Sequence, residues 1–169
     1  MKIWRLEKRR YAREAFRGKG ALHVGGRWHR KGAQVAYASE HPGVAALEKL
    51  VWLESYERAS ASDYVLLSLE IDPEQHLGRF GREALPEGWD AFPHPDATKA
   101  LGTRWLAEER SAVLEVPSAV IPVASNYLVN PFHPDFPGLE RSRPEPFSWD
   151  SRLFRGQNSE EGEEGREKS

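Results

Sequence analysis

In the stretch "VAYASEHPGVAALEKLVWL", residues 35–53, a strand pattern is followed directly by a helix pattern. In its first part, the small residues Ala36 and Ala38 would share one strand face, while the alternate residues share the other. Helix formers follow Pro42 over a stretch of helical length, residues 43–59. The segment therefore predicts a strand that leads into a helix.

The sequence around this junction predicts further elements at irregular spacing. Residues 1–21 indicate a short strand followed by a loop or helix. Two strands, residues 22–28 and 34–39, are predicted to be joined by a turn at "HRKG". "DYVLLSLEI", residues 63–71, alternates in polarity and predicts a strand of which one face is more apolar than the other.

The second half of the chain continues the mixture of helices and strands. A Pro/Gly-rich connection is predicted over residues 72–95. A helix should begin near Asp96 or Thr98 and continue through "KALGTRWLAEER". Residues 112–122 then indicate a strand interrupted by Pro117, and the prolines in "NYLVNPFHPDFPG" leave strand and loop both open.

These elements predict one compact α+β domain over residues 1–154. Their irregular spacing argues against a regular series of parallel βαβ units. The remaining residues, 155–169, are polar, acidic and poor in aromatic side chains, so they are expected to be a disordered acidic tail.

The composition excludes several classes of protein. The chain has 169 residues, of which 39% are hydrophobic and 30% charged, so it is long enough to bury a core. Its net charge of −2 gives no electrostatic case for direct nucleic-acid binding. No apolar run could span a bilayer, and the first residues do not resemble a signal peptide. Because cysteine is absent, a cytoplasmic location without disulfides is the simplest expectation.

Glu48 is the candidate that physical reasoning singles out first. On a helix, Val44 and Trp52 would lie one turn on either side of it, and apolar residues would surround most of the helix. A carboxylate in that setting must be paired, protonated or facing a cleft, because an isolated buried charge is very costly. A functional carboxylate and a structural ion pair both satisfy this requirement, and a helix that is less buried than its sequence suggests would remove it.

Arg27 lies in "VGGRW", behind two glycines that allow another group to approach the backbone closely. Its guanidinium offers a planar fork of donors that suits phosphate or carboxylate. An exposed edge-strand arginine beside a bulge is the alternative, and it is the commoner situation for a basic residue.

Tyr37, Ser118 and Asn126 are further candidates with ordinary structural alternatives. Tyr37 is flanked by small residues and could stack a flat ring over a pocket, although a core tyrosine is more common. Ser118 follows a proline at a strand break, where it could bind phosphate or simply form a turn. Asn126 is by default a residue that orders a loop.

Several common metal-binding, nucleotide-binding and hydrolase motifs are absent from the sequence. The six histidines are scattered without metal-binding spacing, so no metal site is predicted. The chain contains neither the Gly-rich phosphate loop of nucleotide hydrolases nor the dinucleotide motif G-x-G-x-x-G. No G-x-S-x-G sequence surrounds Ser111 or Ser118, which argues against a serine hydrolase.

Taken in order, "GGRW", "VAYASEHPGVAALEKLVWL" and "LGTRWLAEERSAVLEVPSAVIPVASNYLVNP" closely resemble the RES-domain family, the toxins of bacterial RES–Xre toxin–antitoxin modules. The resemblance covers the chain from about Trp4 to Pro134 and includes the gaps between the motifs. Each motif alone would be weak evidence, whereas the ordered series is specific.

The resemblance implies a set of site residues. The arginine, glutamate and serine that name the family match Arg27, Glu48 and Ser118, and Tyr37 and Asn126 match further pocket positions. The catalytic set implied is Glu48, Arg27 and Tyr37, with Arg27 also holding the pyrophosphate of NAD. Ser118 and Asn126 would position a phosphate group or the attacking acceptor.

The resemblance also implies a fold and an activity. The fold expected is that of the ADP-ribosyltransferase toxins. NAD would be the substrate, with no cofactor, and its nicotinamide–ribose bond would be split by phosphorolysis or by hydrolysis. ADP-ribosyl transfer to a protein and a catalytically silent antitoxin-docking module are the alternatives. The partner implied is an Xre-type helix-turn-helix antitoxin in a hetero-oligomer.

Overall fold

The structure is a computed structural model that describes residues 1–80 and 82–154. The predicted acidic tail, residues 155–169, therefore lies outside the described residues. The strands of the described residues form a single sheet.

Eight strands and four α-helices are interspersed along the described chain. The strands are β1 Lys2–Lys8, β2 Ala36–Ser39, β3 Tyr64–Glu70, β4 Leu77–Arg79, β5 Val113–Pro117, β6 Ser125–Val129, β7 Glu140–Arg141 and β8 Glu145–Phe147. The α-helices are α1 Pro42–Leu50, α2 Tyr56–Ser60, α3 Pro73–His76 and α4 Asp96–Glu108. Short 3-10 helices occupy Arg9–Arg17, Lys19–Leu22, Arg82–Ala84, Phe136–Gly138 and Ser151–Phe154.

The strands form one mixed sheet in the order β4-β5-β6-β2-β1-β3-β7, with β8 also pairing with β3. Only β4 and β5 are parallel, and the other pairs are antiparallel. This topology confirms the α+β prediction and the absence of a regular βαβ series. It also places β2 at the centre of the sheet, between β1 and β6.

Apolar side chains cover both faces of the sheet. The predicted alternation of β3 is confirmed, because Val65, Leu67 and Leu69 are buried in the largest core cluster. The opposite face of the strand is also covered, since Tyr64 is buried beside Trp149. The strand is therefore largely buried on both faces, including the face that its sequence predicted to be the less apolar of the two.

The strand predicted over residues 22–28 is wrong. Leu22 ends a 3-10 helix, and the only pairing in this segment of the described chain is an isolated bridge between Gly26 and His29. Both edges of β2 are already occupied by β1 and β6, so no edge remains for a hairpin partner. Within the part of the chain that the structure describes, the segment has no ladder of backbone hydrogen bonds to a neighbouring strand. It is held in place by Trp28, which is buried in a core cluster.

The helix predicted over residues 43–59 is two helices. α1 ends at Leu50, and Ser55 starts α2 by accepting a hydrogen bond from the Arg58 N–H. The helix predicted from Asp96 is confirmed as α4. The strand break at Pro117 is also confirmed, because β5 ends there and β6 begins at Ser125.

Candidate active site

A cleft of about 540 Å³ opens where β1, β2 and α1 meet the loop that precedes α4. Its volume falls in the range of small-molecule sites. Of the residues predicted for the site, four line it: Arg27, Tyr37, Glu48 and Asn126. The fifth, Ser118, is fully buried directly behind Glu48.

Glu48 is held through one of its two carboxylate oxygens. Its Oε1 accepts a hydrogen bond from the Ser118 hydroxyl at 2.7 Å and another from the Asn126 side-chain amide at 2.5 Å. Among the described residues, no side chain or backbone group donates to Oε2. The carboxylate is thus fixed in orientation and keeps one oxygen for a ligand.

The partners of Glu48 are themselves fixed. The Ser118 oxygen accepts the backbone N–H groups of Val120 and Ile121 at 3.1 and 2.8 Å, so its own hydrogen is directed at Glu48. The Asn126 side-chain oxygen accepts a hydrogen bond from the Ser39 hydroxyl at 2.7 Å. Strand register makes this contact possible, because Ser39 and Asn126 are cross-strand partners on β2 and β6.

Tyr37 lies on the same face of β2 as Ser39, as the alternation of the sequence predicts. Its hydroxyl accepts the Trp28 backbone N–H at 3.2 Å and lies 2.8 Å from His29 Nδ1. The other ring nitrogen of His29 lies 3.0 Å from the Val24 carbonyl oxygen. That carbonyl requires a proton on Nε2, so the neutral ring accepts the Tyr37 O–H at Nδ1.

The electrostatics of this pair agree with that assignment. Burial raises the pKa of Tyr37 well above its ordinary value, against smaller opposing effects of the Trp28 N–H and Arg27. Burial likewise lowers the pKa of His29. Tyr37 is therefore a neutral phenol whose proton is committed to His29, and its ring, rather than its hydroxyl, is available to the cleft.

Gly26 is required by this hydrogen-bonded pair. A Cβ at residue 26 would lie 2.6 Å from His29 Cε1 and 2.8 Å from the Tyr37 oxygen, closer than real Cβ atoms approach other atoms. The sequence predicted that the glycines before Arg27 admit a close neighbour. At Gly26 the close neighbours are two side chains of the protein, those of His29 and Tyr37.

Arg27 faces the cleft from a loop and holds a second loop in place. Its Nη1 donates to the carbonyl oxygens of Trp89 and Ala91 at 2.6 and 2.9 Å. Burial lowers its pKa, while the charges of Asp90 and Glu48 act in the opposite direction. No ion pair forms between Arg27 and a carboxylate of the described residues. Its remaining donors are therefore available to an anionic ligand.

The expectation that the helix of Glu48 is buried on most faces is wrong. α1 buries only Val44 and Ala45, and Leu47 is exposed. Trp52 follows the helix and is 63% exposed at the rim of the cleft. Val51 and Trp52 line the cleft, whereas Ala46 and Leu50 pack against a core cluster.

Sequence reasoning missed several residues of the site. Ser39 lies before "EHPG", where a serine is typical of a turn or a helix N-cap, yet its hydroxyl binds Asn126. His29 gave no signal, because its role depends on a contact with Tyr37 across a loop. Phe92 and His94 line the cleft from the Pro/Gly-rich connection, where no pattern distinguishes them. The sequence did indicate Ser39, because the alternation of side chains along a strand places it on the same face as Tyr37.

The described residues contain no group of three histidine, aspartate or glutamate side chains that could hold a metal ion. Within the same ranges, no helix is both long enough and apolar enough to cross a membrane. The cleft is lined by charged side chains of both signs, among them Arg27, Lys49, Glu48 and Asp90, and by the amide of Asn126.

The chain is similar to known proteins over almost its whole length. The family described as "RES domain" matches residues 2–150. "Toxin Res" of Pseudomonas putida is 38% identical over 154 residues, which cover 91% of this chain and 100% of that protein. "Prs ADP-ribosylating toxin" of a Sphingobium species is 32% identical over 163 residues, covering 90% of this chain and 96% of that protein.

A solved structure has the same fold. A chain in the crystal structure of the M. tuberculosis MbcT–MbcA toxin–antitoxin complex matches with a TM-score of 0.69 and 15% identity, over 90% of this chain and 86% of that one. At this identity the match supports the fold alone. The family match and the identity to "Toxin Res" confirm the resemblance seen in the motifs, and the chain belongs to the RES-domain family.

Proposed function

We propose that this protein is the toxin of a toxin–antitoxin module and that it degrades NAD by splitting the nicotinamide–ribose bond. The observation that carries the proposal is the fixed carboxylate of Glu48, which faces a cleft shared with Arg27 and Tyr37. No cofactor takes part in the proposed reaction, because NAD itself is the substrate.

The bond to be broken joins C1″ of the ribose to the ring nitrogen of nicotinamide. The electron pair leaves with that nitrogen, so nicotinamide departs neutral and the ribose develops an oxocarbenium-like positive charge. A carboxylate aimed at this charge lowers the barrier. Glu48 is suited to the role, because Ser118 and Asn126 occupy Oε1 and leave Oε2 to face the ribose and its hydroxyls.

Arg27 and Tyr37 would orient the rest of the substrate. The free donors of Arg27 suit the pyrophosphate of NAD, to which a guanidinium can bind bidentately. The ring of Tyr37 would stack on nicotinamide, and its buried hydroxyl is already bonded to His29. Replacing Arg27 with alanine should raise the NAD concentration needed for half-maximal turnover, as measured by the rate of nicotinamide release.

The geometry favours a narrower role for Ser118 than the binding of a phosphate or acceptor. Its hydroxyl is buried and fully used by Glu48 and two backbone N–H groups, so we assign it to the positioning of Glu48. Asn126 lines the cleft, and it can both hold Glu48 and contact the substrate. The acceptor that attacks C1″ is proposed to be inorganic phosphate, which gives ADP-ribose-1″-phosphate, or water.

The toxin assignment and the partner rest on the relatives. Two of them carry the word toxin in their names, and the similar fold comes from a toxin–antitoxin complex. We propose that this chain likewise binds a cognate antitoxin, of the Xre type with a helix-turn-helix domain, in a hetero-oligomer in the cytoplasm. Expression should be toxic, and co-expression of the antitoxin should relieve that toxicity.

A second candidate function is ADP-ribosyl transfer to a protein. The observation that favours it is the 32% identity to the relative named "Prs ADP-ribosylating toxin". The same cleavage of NAD would occur at Glu48, and a nucleophilic side chain of the target would replace phosphate or water at C1″.

Incubation of the purified, antitoxin-free protein with NAD separates these functions. Nicotinamide release that depends on added phosphate supports phosphorolysis, and release without phosphate supports hydrolysis. Release that requires a target protein, with mass added to that protein, supports ADP-ribosyl transfer. No release under any of these conditions would contradict the enzyme proposal and leave a binding module.

A further inference from the structure

Two large aromatic side chains are exposed at the rim of the cleft. Trp52 is 63% exposed and Phe92 is 75% exposed, and both line the cleft. They come from different parts of the fold, since Trp52 follows α1 and Phe92 belongs to the loop before α4. Exposure of large apolar side chains together, beside a cleft, is typical of a binding surface.

The rings form a cluster with a defined geometry. The centroids of Trp52 and Phe92 are 6.3 Å apart at an interplanar angle of 60°. His94 contacts both rings edge-on, at 6.2 Å from Trp52 and 5.4 Å from Phe92. Because the rings meet by their edges, they do not cover each other by parallel stacking, and ring surface remains open to a flat ligand.

Arg27 links this cluster to the proposed pyrophosphate site. Its Nη1 binds the carbonyl oxygens of Trp89 and Ala91, and Phe92 is the next residue along that loop. Trp52 lies four residues beyond Glu48 in the chain, and both line the same cleft as Arg27. The aromatic cluster therefore shares the cleft with Arg27 and Glu48.

We propose that Trp52 and Phe92 form a stacking site for the adenine base of NAD. This inference rests on the proposed function, in which Glu48 acts at the nicotinamide ribose and Arg27 binds the pyrophosphate. Nicotinamide is assigned to the ring of Tyr37, and the aromatic cluster is the second flat, apolar surface of the cleft, exposed at its rim. Every purine or pyrimidine presents a π-face to such rings, so stacking selects a base without requiring hydrogen bonds to its edge.

The first test measures binding without catalysis. Titration calorimetry of the full chain with AMP, which carries the base but no nicotinamide, should detect binding. Trp52→Ala and Phe92→Ala should each weaken AMP binding by roughly tenfold, the effect typical of losing one stacking partner. Trp52→Phe keeps an aromatic face and should retain most of the affinity. Phe132→Ala is the matched control, because Phe132 is 66% exposed and lies outside the lining of the cleft.

The second test compares NAD with nicotinamide mononucleotide, which lacks the adenosine half. Trp52→Ala and Phe92→Ala should lower kcat/KM for NAD by roughly tenfold and should lower kcat/KM for the mononucleotide by a clearly smaller factor. An equal loss for both substrates would overturn the inference, because the rings would then act on the reacting half.

The two tests separate this inference from the proposed function. If the wild-type chain releases no nicotinamide, the proposed function fails, while the AMP titration still decides whether the rings bind a base. Unchanged AMP affinity in both alanine variants would overturn the stacking site. That result together with loss of antitoxin binding would instead assign the rings to a protein interface.

Discussion

Ser118 contributes no free hydroxyl to the cleft, because its oxygen is fully used by Glu48 and the N–H groups of Val120 and Ile121. It therefore acts on the reaction through the orientation of Glu48. The family motif identifies this serine, but only the structure shows that it points at a carboxylate located 70 residues away in the sequence.

Ser118→Ala should reduce both stability and turnover. The variant leaves two partly buried N–H groups and Oε1 of Glu48 without their partner, so the free energy of unfolding should fall by about 1–3 kcal/mol. Loss of the hydrogen bond to Glu48 should also lower kcat more than it raises KM for NAD. Urea unfolding and steady-state nicotinamide release measure the two effects.

Ser111 supplies the control for that variant. It is also a buried serine, and its hydroxyl accepts the Trp105 indole N–H at 2.9 Å and donates to the Val113 carbonyl, away from the cleft. Ser111→Ala should lower stability and leave the kcat of the folded protein near that of the wild type. If both variants lost kcat equally, the effect of Ser118→Ala would be general destabilisation.

His29 should make stability depend on pH. Burial lowers its pKa below the ordinary value of 6.5, although hydrogen bonds to the carbonyls of Val24 and Ala21 act the other way. The unfolded chain therefore takes up a proton below about pH 6.5 before the native protein does. The contribution of His29 to stability is complete above that pH and is lost as the pH falls towards the native pKa.

The check is urea unfolding of the wild type and His29→Gln at about pH 7.5 and about pH 5.5. The variant should be less stable at the higher pH, because Tyr37 loses its partner, and should lose less stability on acidification. His94, whose pKa burial also lowers, remains in both proteins. An identical pH dependence in the two proteins would mean that His29 is not the group that titrates.

At the scale of elements, α4 fixes the position of the loop that carries Arg27. Gly102 is buried on α4 against the backbone of Trp28, and a Cβ at residue 102 would overlap the Trp28 carbonyl oxygen. Alanine in a helix is ordinarily more stable than glycine by about 1 kcal/mol. At residue 102 the overlap with Trp28 should make alanine less stable than glycine.

Gly102→Ala should therefore lower the free energy of unfolding by about 1–3 kcal/mol and displace the segment that contains Arg27. Thermal unfolding and the KM for NAD report the two effects. Gly138→Ala is the control, because no heavy atom of a neighbour lies within 4 Å of the added Cβ. A Gly102→Ala variant as stable as the wild type would contradict this close packing.

The elements themselves were predictable where local pattern and tertiary packing agree. β3 and α4 follow the alternation and the helix signals of their sequences. The strand predicted over residues 22–28 failed, because β2 already pairs on both sides and Trp28 is buried by its side chain. Patterns within a segment carry no information on which sheet edges remain free.

At the scale of the whole molecule, the site joins segments that are far apart in the sequence. Glu48 on α1 receives Asn126 from β6, which lies 78 residues away, and Arg27 reaches the carbonyl oxygens of Trp89 and Ala91. The ordered motifs identified five residues of the site. They could not give the contacts between them, because those contacts follow from strand register and loop packing.

The most direct test of the central claim is nicotinamide release from NAD by Glu48→Gln, measured beside NAD binding to the same variant. The substitution removes the charge and keeps the shape and the hydrogen-bonding oxygen. NAD affinity should be nearly unchanged, and kcat should be at least about 100-fold below that of the wild type, the size of loss typical of removing a group that stabilises transition-state charge. Near-normal kcat in a variant that binds NAD would contradict the assignment of Glu48 to the cleavage step.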